Sequence, residues 1–184
     1  SFFKDYLYLA HTGISRSGGF LVKEWRASDT EIQGWELEGA YTDAWAADCH
    51  VALNVFADLV KNINTSDDNM RKWAEGDFMP NLPTSRYGMS VALQYKKFFG
   101  NANFDQYLKQ RYLGKNINIE PPIPAYSLLS GQLGYKVNIK RYEFVYFISG
   151  NNLLNVEARP QNSILKYLAP LPGRNISIGL KLLL

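Results

Sequence analysis

Apolar and polar residues alternate with a period of two in several stretches, the spacing of a β-strand whose faces meet different surroundings. The last stretch is the plainest. Ile176, Ile178, Leu180, Leu182 and Leu184 share one parity; Asn175, Ser177, Gly179 and Lys181 share the other, with Leu183 out of place. Near residue 34, Trp35, Leu37, Gly39 and Tyr41 oppose Gly34, Glu36, Glu38 and Ala40. The same pattern runs through 49–60, 86–96, 128–138 and 143–149. Two weaker stretches fit at 1–9 and 103–112, for about eight strands in all, and no amphipathic helix of three turns is visible. The pattern predicts an all-β chain.

The connections sort by length. Those at 43–48, 98–102 and 139–141 are short, and those at 10–25, 61–84, 113–125 and 152–172 are long. Strict alternation of short and long is the signature of an antiparallel transmembrane β-barrel, with short periplasmic turns and long outer loops. The aromatic residues agree. Tyr41, Trp45, Tyr95, Phe98, Phe99, Tyr135 and Tyr142 cluster beside the short connections, where amphipathic rings favour the membrane–water boundary. The apolar parity is therefore expected to face lipid and the polar parity a wet or plugged interior. A soluble barrel with a greasy inside would carry its polar parity outward, rich in Lys and Glu. This parity holds Gly, Ala, Ser, Asn and Gln as often as charge.

Composition narrows the function. Aromatic residues make up 14% of the 184. The net charge of +3 is small and dispersed, which does not suit nucleic acid. No run of about 18 apolar residues offers a transmembrane helix. Cys49 is the only cysteine, so an internal disulfide and a cysteine metal cluster are excluded. Asp48-Cys49-His50 looks like a metal triplet, but adjacent strand residues point to opposite faces. Neither His11 nor His50 has a nucleophile elbow or paired acid, so no catalytic site is expected. "SRSGG" at 15–19 falls in a predicted loop rather than between strand and helix, and reads as a flexible turn.

At this point the chain resembles a family. Asn152-Leu153-Leu154-Asn155, Glu157-Ala158-Arg159, Ala169-Pro170-Leu171-Pro172-Gly173-Arg174 and the final strand resemble the C-terminal end of a TonB-dependent outer-membrane receptor. "SFFKDYLYLAHTG", "QGWELEG", "MPNLPTSRYG" and "PPIPAYSLLSGQLGY" resemble that family's earlier strands, in family order. The resemblance implies a segment of a plugged barrel of about 22 strands. Residues 1–184 would be its C-terminal portion, with the plug domain and the remaining strands outside this chain. It implies uptake of a metal ion or metal chelate (siderophore, haem or zinc) across the Gram-negative cell outer membrane, driven by the TonB complex through the plug. Further implied partners are outer-membrane lipid and the barrel-assembly machinery, engaged through the C-terminal strand. No cofactor is implied. Two features depart from the family pattern. Leu184 stands where an aromatic residue usually ends the chain, and Pro160, Gln161 and Asn162 stand where the zinc-type branch often has His. The alternative is a complete eight-stranded outer-membrane barrel with a structural or adhesion role.

The candidate ligand contacts lie on outer loops and the lumen parity. Glu36 and Glu38 point to the lumen, where they could bind a cation or pair with neighbouring charges. Arg86 and Arg174 lie near the outer rim, placed to steer an anionic chelate or to hold a loop. His11 belongs to a predicted outer loop. Arg71 and Trp73 belong to the longest loop, whose charged and aromatic residues can hydrogen-bond or stack on a chelate. Arg159 belongs to the Glu-Ala-Arg segment.

Overall fold

The computed structural model describes the backbone of residues 1–15, 21–64, 82–111, 122–163 and 165–183, and their side chains except at 10–15, 21 and 62–64. Eight antiparallel strands form one sheet in chain order. They are β1 (Phe2–Ser15), β2 (Leu21–Ala46), β3 (Cys49–Asn64), β4 (Arg86–Tyr95), β5 (Phe98–Tyr107), β6 (Tyr126–Ile139), β7 (Tyr142–Asn151) and β8 (Asn175–Leu183). The sheet is open, with β1 and β8 as its two edges. The closed eight-stranded cylinder of the alternative reading is thus not formed.

Register carries one parity unbroken from β4 to β8. Leu93 pairs with Gly100, Gly100 with Leu133, Leu133 with Ile148 and Ile148 with Ile178. One step along, Tyr95, Phe98, Tyr135, Tyr146 and Leu180 form the next row. Because paired residues share a face, these rows build one apolar surface. Its side chains are outward and uncovered, Trp35 at 79% and Ile178 at 84% exposure. A surface of this size left bare calls for an apolar surrounding. Strands of ten residues, such as β4, β5 and β7, rise about 25 Å at a tilt of ~40°, the height of an apolar membrane band.

The opposite face is polar. Thr42, Ala52, Ala92, Asn101, Gln132, Ser149 and Ser177 form one continuous row. Asn54 Nδ2 donates to Ser90 Oγ at 3.2 Å on the same face. Where large rings occur here, they lie flat over glycines of the next strand. Phe56 is paired with Gly88, Phe99 with Gly134 and Phe147 with Gly179. A Cβ on Gly134 would stand 2.1 Å from the Phe99 ring, and one on Gly179 2.3 Å from that of Phe147. The glycines are there because the rings need the space.

Three expectations change. The long loop at 10–25 is mostly strand: β1 and β2 stay paired up to Ser15 and Leu21. "VKEWRASD" looked like loop because it lacks a greasy parity. A hairpin reaching beyond an apolar band needs none, and here Arg26 pairs with Glu24. Second, the connection at 98–102 is really Lys96-Lys97, and the strand at 103–112 is β5, Phe98–Tyr107. Gly100 and Asn101 suggested a turn, yet both sit inside the ladder. Third, Phe99 belongs to the polar face over Gly134 and not to the aromatic girdle.

Candidate functional site

At the upper end of the polar face, five strands bring Glu36, Asp58, Arg86, Tyr107 and Tyr126 into one row. Each is fixed by ladder pairing rather than by a loop, so the row is a rigid wall feature. Two carboxylates lie to one side of one guanidinium, and Tyr107 lies on its other side. Arg86 Nε donates to Asp58 Oδ2 at 2.8 Å, and its Cζ lies 5.0 Å over the Phe56 ring centroid. Glu36 is opposite Asp58 with its side chain exposed, and Glu38 is one row below, opposite Phe56. Tyr107 and Tyr126 stack at 4.6 Å and 16°. The row therefore offers charge of both signs, a chemistry suited to hydrogen-bonding a polar organic ligand, while its rings pack on one another and on Arg86.

The segment after β7 covers part of this row. Ala158 is fully buried against Ile123 and Tyr126, with Tyr107, Leu128 and Val156 packed around them. Two asparagines hold the segment in place. Asn152 Nδ2 donates to the carbonyls of Val156 (2.9 Å) and Pro172 (3.0 Å), while its Oδ1 accepts from Val156 N at 3.0 Å. Asn155 Oδ1 accepts from Arg174 N at 3.1 Å. Both residues are left-handed, φ 47° and 54°, a conformation asparagine tolerates better than most. Arg159 is engaged within the segment: Nε pairs with Glu157 Oε1 at 2.6 Å and Nη1 donates to Lys166 O at 2.6 Å.

The expected ligand contacts thus divide. Glu36, Glu38 and Arg86 share the polar face, as their parity predicted. Arg159 and Arg174 lie on the covering segment: the first is tied to its neighbours, and the second has an exposed side chain. His11 is a residue of β1, paired with Lys23, and not of a loop. Arg71 and Trp73 lie outside the described residues. Cys49 and His50 fall on opposite faces, paired with Tyr95 and Gln94. Among the described residues no three His, Cys, Asp or Glu side chains come together.

Asp58, Tyr107 and Tyr126 were not singled out from the sequence. Only register brings β3, β5 and β6 to one row. Farther along the strands, past the row, a cavity of about 370 Å³ is lined by Trp35 and Leu59 of the apolar parity together with Thr84, Ser85, Lys109 and Gln161. Thr84 Oγ1 donates to Leu108 O at 2.8 Å and Ser85 Oγ accepts from Val60 N at 3.1 Å, which ties the entry of β4 to both neighbours.

Comparison with known proteins agrees with this architecture. No curated protein has a matching sequence. Among solved structures the fold is similar to one titled "Copper transporter OprC", with a TM-score of 0.65 and 14% identity, covering 95% of this chain. The chain spans 26% of the length of that structure. Residues 2–153 match the family described as "TonB dependent receptor-like, beta-barrel". A match over most of the chain, together with one antiparallel sheet apolar on one face and polar on the other, places the chain in the TonB-dependent receptor β-barrel family.

Proposed function

We propose that this chain is the C-terminal part of the wall of an outer-membrane receptor that imports a metal chelate or metal ion. The apolar face lies in the lipid of a Gram-negative outer membrane, and the two-residue turns face the periplasm. Plug and remaining strands lie outside residues 1–184, and the TonB complex drives uptake through the plug. The protein acts as a receptor and not as an enzyme.

One observation carries this reading: the row of Glu36, Asp58, Arg86, Tyr107 and Tyr126 on the polar face, roofed at one end by the segment after β7. Arg86 with the exposed Glu36 and Glu38 nearby suits a polar organic chelate that both donates and accepts hydrogen bonds better than a bare ion. Siderophores and haem are of that class.

Growth rescue tests it. The full-length gene, placed in a strain lacking its own uptake receptors, restores growth on a siderophore or haem as sole metal source. Arg86→Gln then lowers ligand binding at the cell surface about tenfold with unchanged protein in the membrane, since a charge-assisted contact is lost. Rescue on none of siderophore, haem, zinc or copper would contradict the reading.

A further inference from the structure

Two neighbouring hairpins repeat one device. Tyr95-Lys96-Lys97-Phe98 joins β4 to β5, and Ile139-Lys140-Arg141-Tyr142 joins β6 to β7. In each, two residues make the turn between a directly paired flanking couple, Tyr95 with Phe98 and Ile139 with Tyr142. In each, the first turn residue is a lysine in the left-handed region, φ 53° for Lys96 and 56° for Lys140. Glycine or asparagine would adopt that backbone more easily. The turns instead carry four cations. The third hairpin, between β2 and β3, carries Asp43 and Asp48.

One cation of each turn leans onto the apolar face. Lys96 Nζ lies 5.4 Å over the Tyr95 ring and Arg141 Cζ 5.0 Å over the Tyr142 ring. Tyr95 and Tyr142 share the parity of Leu133 and Ile178. Along the sheet from these turns, the apolar face holds a groove of about 540 Å³ whose lining includes Leu93, Tyr95, Phe98, Leu133, Tyr135 and Tyr146. Gly100 adds no side chain to its floor between Leu93 and Leu133, and the Leu133 side chain leans toward it, its Cδ2 2.8 Å from where a Gly100 Cβ would stand. The Phe98 and Tyr135 rings, 4.5 Å apart, form its end nearest the turns.

We propose that this groove and the Lys96-Lys97 and Lys140-Arg141 turns form a binding site for one anionic glycerophospholipid. An acyl chain lies in the groove beside Gly100, the phosphate group meets Lys96 and Lys97 at the girdle, and Lys140 and Arg141, about four residues farther along the strands, add to the positive field. Complementary charge beside a shaped apolar trough selects this occupant over a zwitterionic annular lipid. The proposal rests on the apolar face being lipid-facing and the short turns periplasmic, where glycerophospholipid is the available anion.

The test uses the full-length receptor in bilayer discs of phosphatidylethanolamine containing either phosphatidylglycerol or lipid A, with retained lipid counted by native mass spectrometry. Phosphatidylglycerol is retained in preference to phosphatidylethanolamine. Replacing Lys96, Lys97, Lys140 and Arg141 by Gln lowers its retention about tenfold or more. Gly100→Leu, which fills the groove without changing charge, also lowers it. Lys181→Gln, on the polar face, leaves it unchanged. Equal retention of the two phospholipids, or retention indifferent to both the turn and groove variants, overturns the proposal. Retention of lipid A in place of phosphatidylglycerol also overturns it, and places the turns on the outer side. A receptor that fails to enter bilayers at all contradicts the membrane reading itself.

Discussion

Gly134 shows how a single missing side chain holds two strands in register. It is paired with Phe99 on one side and Phe147 on the other, and the Phe99 ring occupies the space of its absent Cβ. Gly134→Ala forces the ring away from the backbone and is expected to destabilise the barrel by ~1–3 kcal/mol. Phe99→Ala removes the clash, so the double variant should be non-additive by ~0.5–3 kcal/mol. Urea unfolding of the full-length protein from lipid vesicles reads both; additive effects would mean that the ring and the glycine act separately. Gly179 on β8 is fixed by the same geometry, the Phe147 ring lying where its Cβ would be. The Arg86–Asp58 pair behaves differently. Its side chains are 43% and 28% exposed, so Arg86→Gln should change stability by less than ~1 kcal/mol. A large loss of stability would make this arginine a structural strut instead of a ligand contact. Parity alone placed Glu36, Glu38 and Arg86 on one face. It could not pair Asp58, Tyr107 and Tyr126 with them, because register between strands separated by loops is not written in local periodicity.

At the scale of elements, β8 is the sharpest case. Arg at Leu180 should cost ~2–4 kcal/mol near the bilayer midplane, and Arg at Ser177, on the polar face, much less. Equal costs in vesicle unfolding would remove the facing assigned to β8. The segment before it depends on Asn155, which is left-handed and accepts from Arg174 N. Asn155→Ala loses that bond and adds ~1–2 kcal/mol of backbone strain, whereas Asn155→Gly loses only the bond. Limited proteolysis of the assembled receptor should therefore cut residues 152–174 fastest in the Ala variant; equal rates in both would refute the strain argument. Strands with one greasy face, such as β4, β6 and β8, were legible from the sequence. The upper part of β2 was not, because outside an apolar band both faces of a strand can be polar. The start of β5 was not, because Gly100 and Asn101 carry turn chemistry into a ladder where one lies in the apolar row and the other joins the polar row.

At the scale of the whole molecule, the order of short and long connections and the two parities together gave an antiparallel membrane wall, and one open eight-stranded sheet is what forms. The shape of the long connections was not legible, since loop conformation is set by side-chain bonds such as those of Asn152 and Asn155 and not by period. The central claim is that the apolar face meets lipid and the polar face the lumen. Spin labels on single cysteines, introduced without Cys49, test it in the full-length receptor in bilayers. The positions are the paired row Leu133, Ile148 and Ile178 and the adjoining row Gln132, Ser149 and Ser177. Labels in the first row should collide with oxygen and be shielded from a water-soluble nickel chelate; labels in the second should show the reverse. Loss of that alternation, or its inversion, would contradict the account.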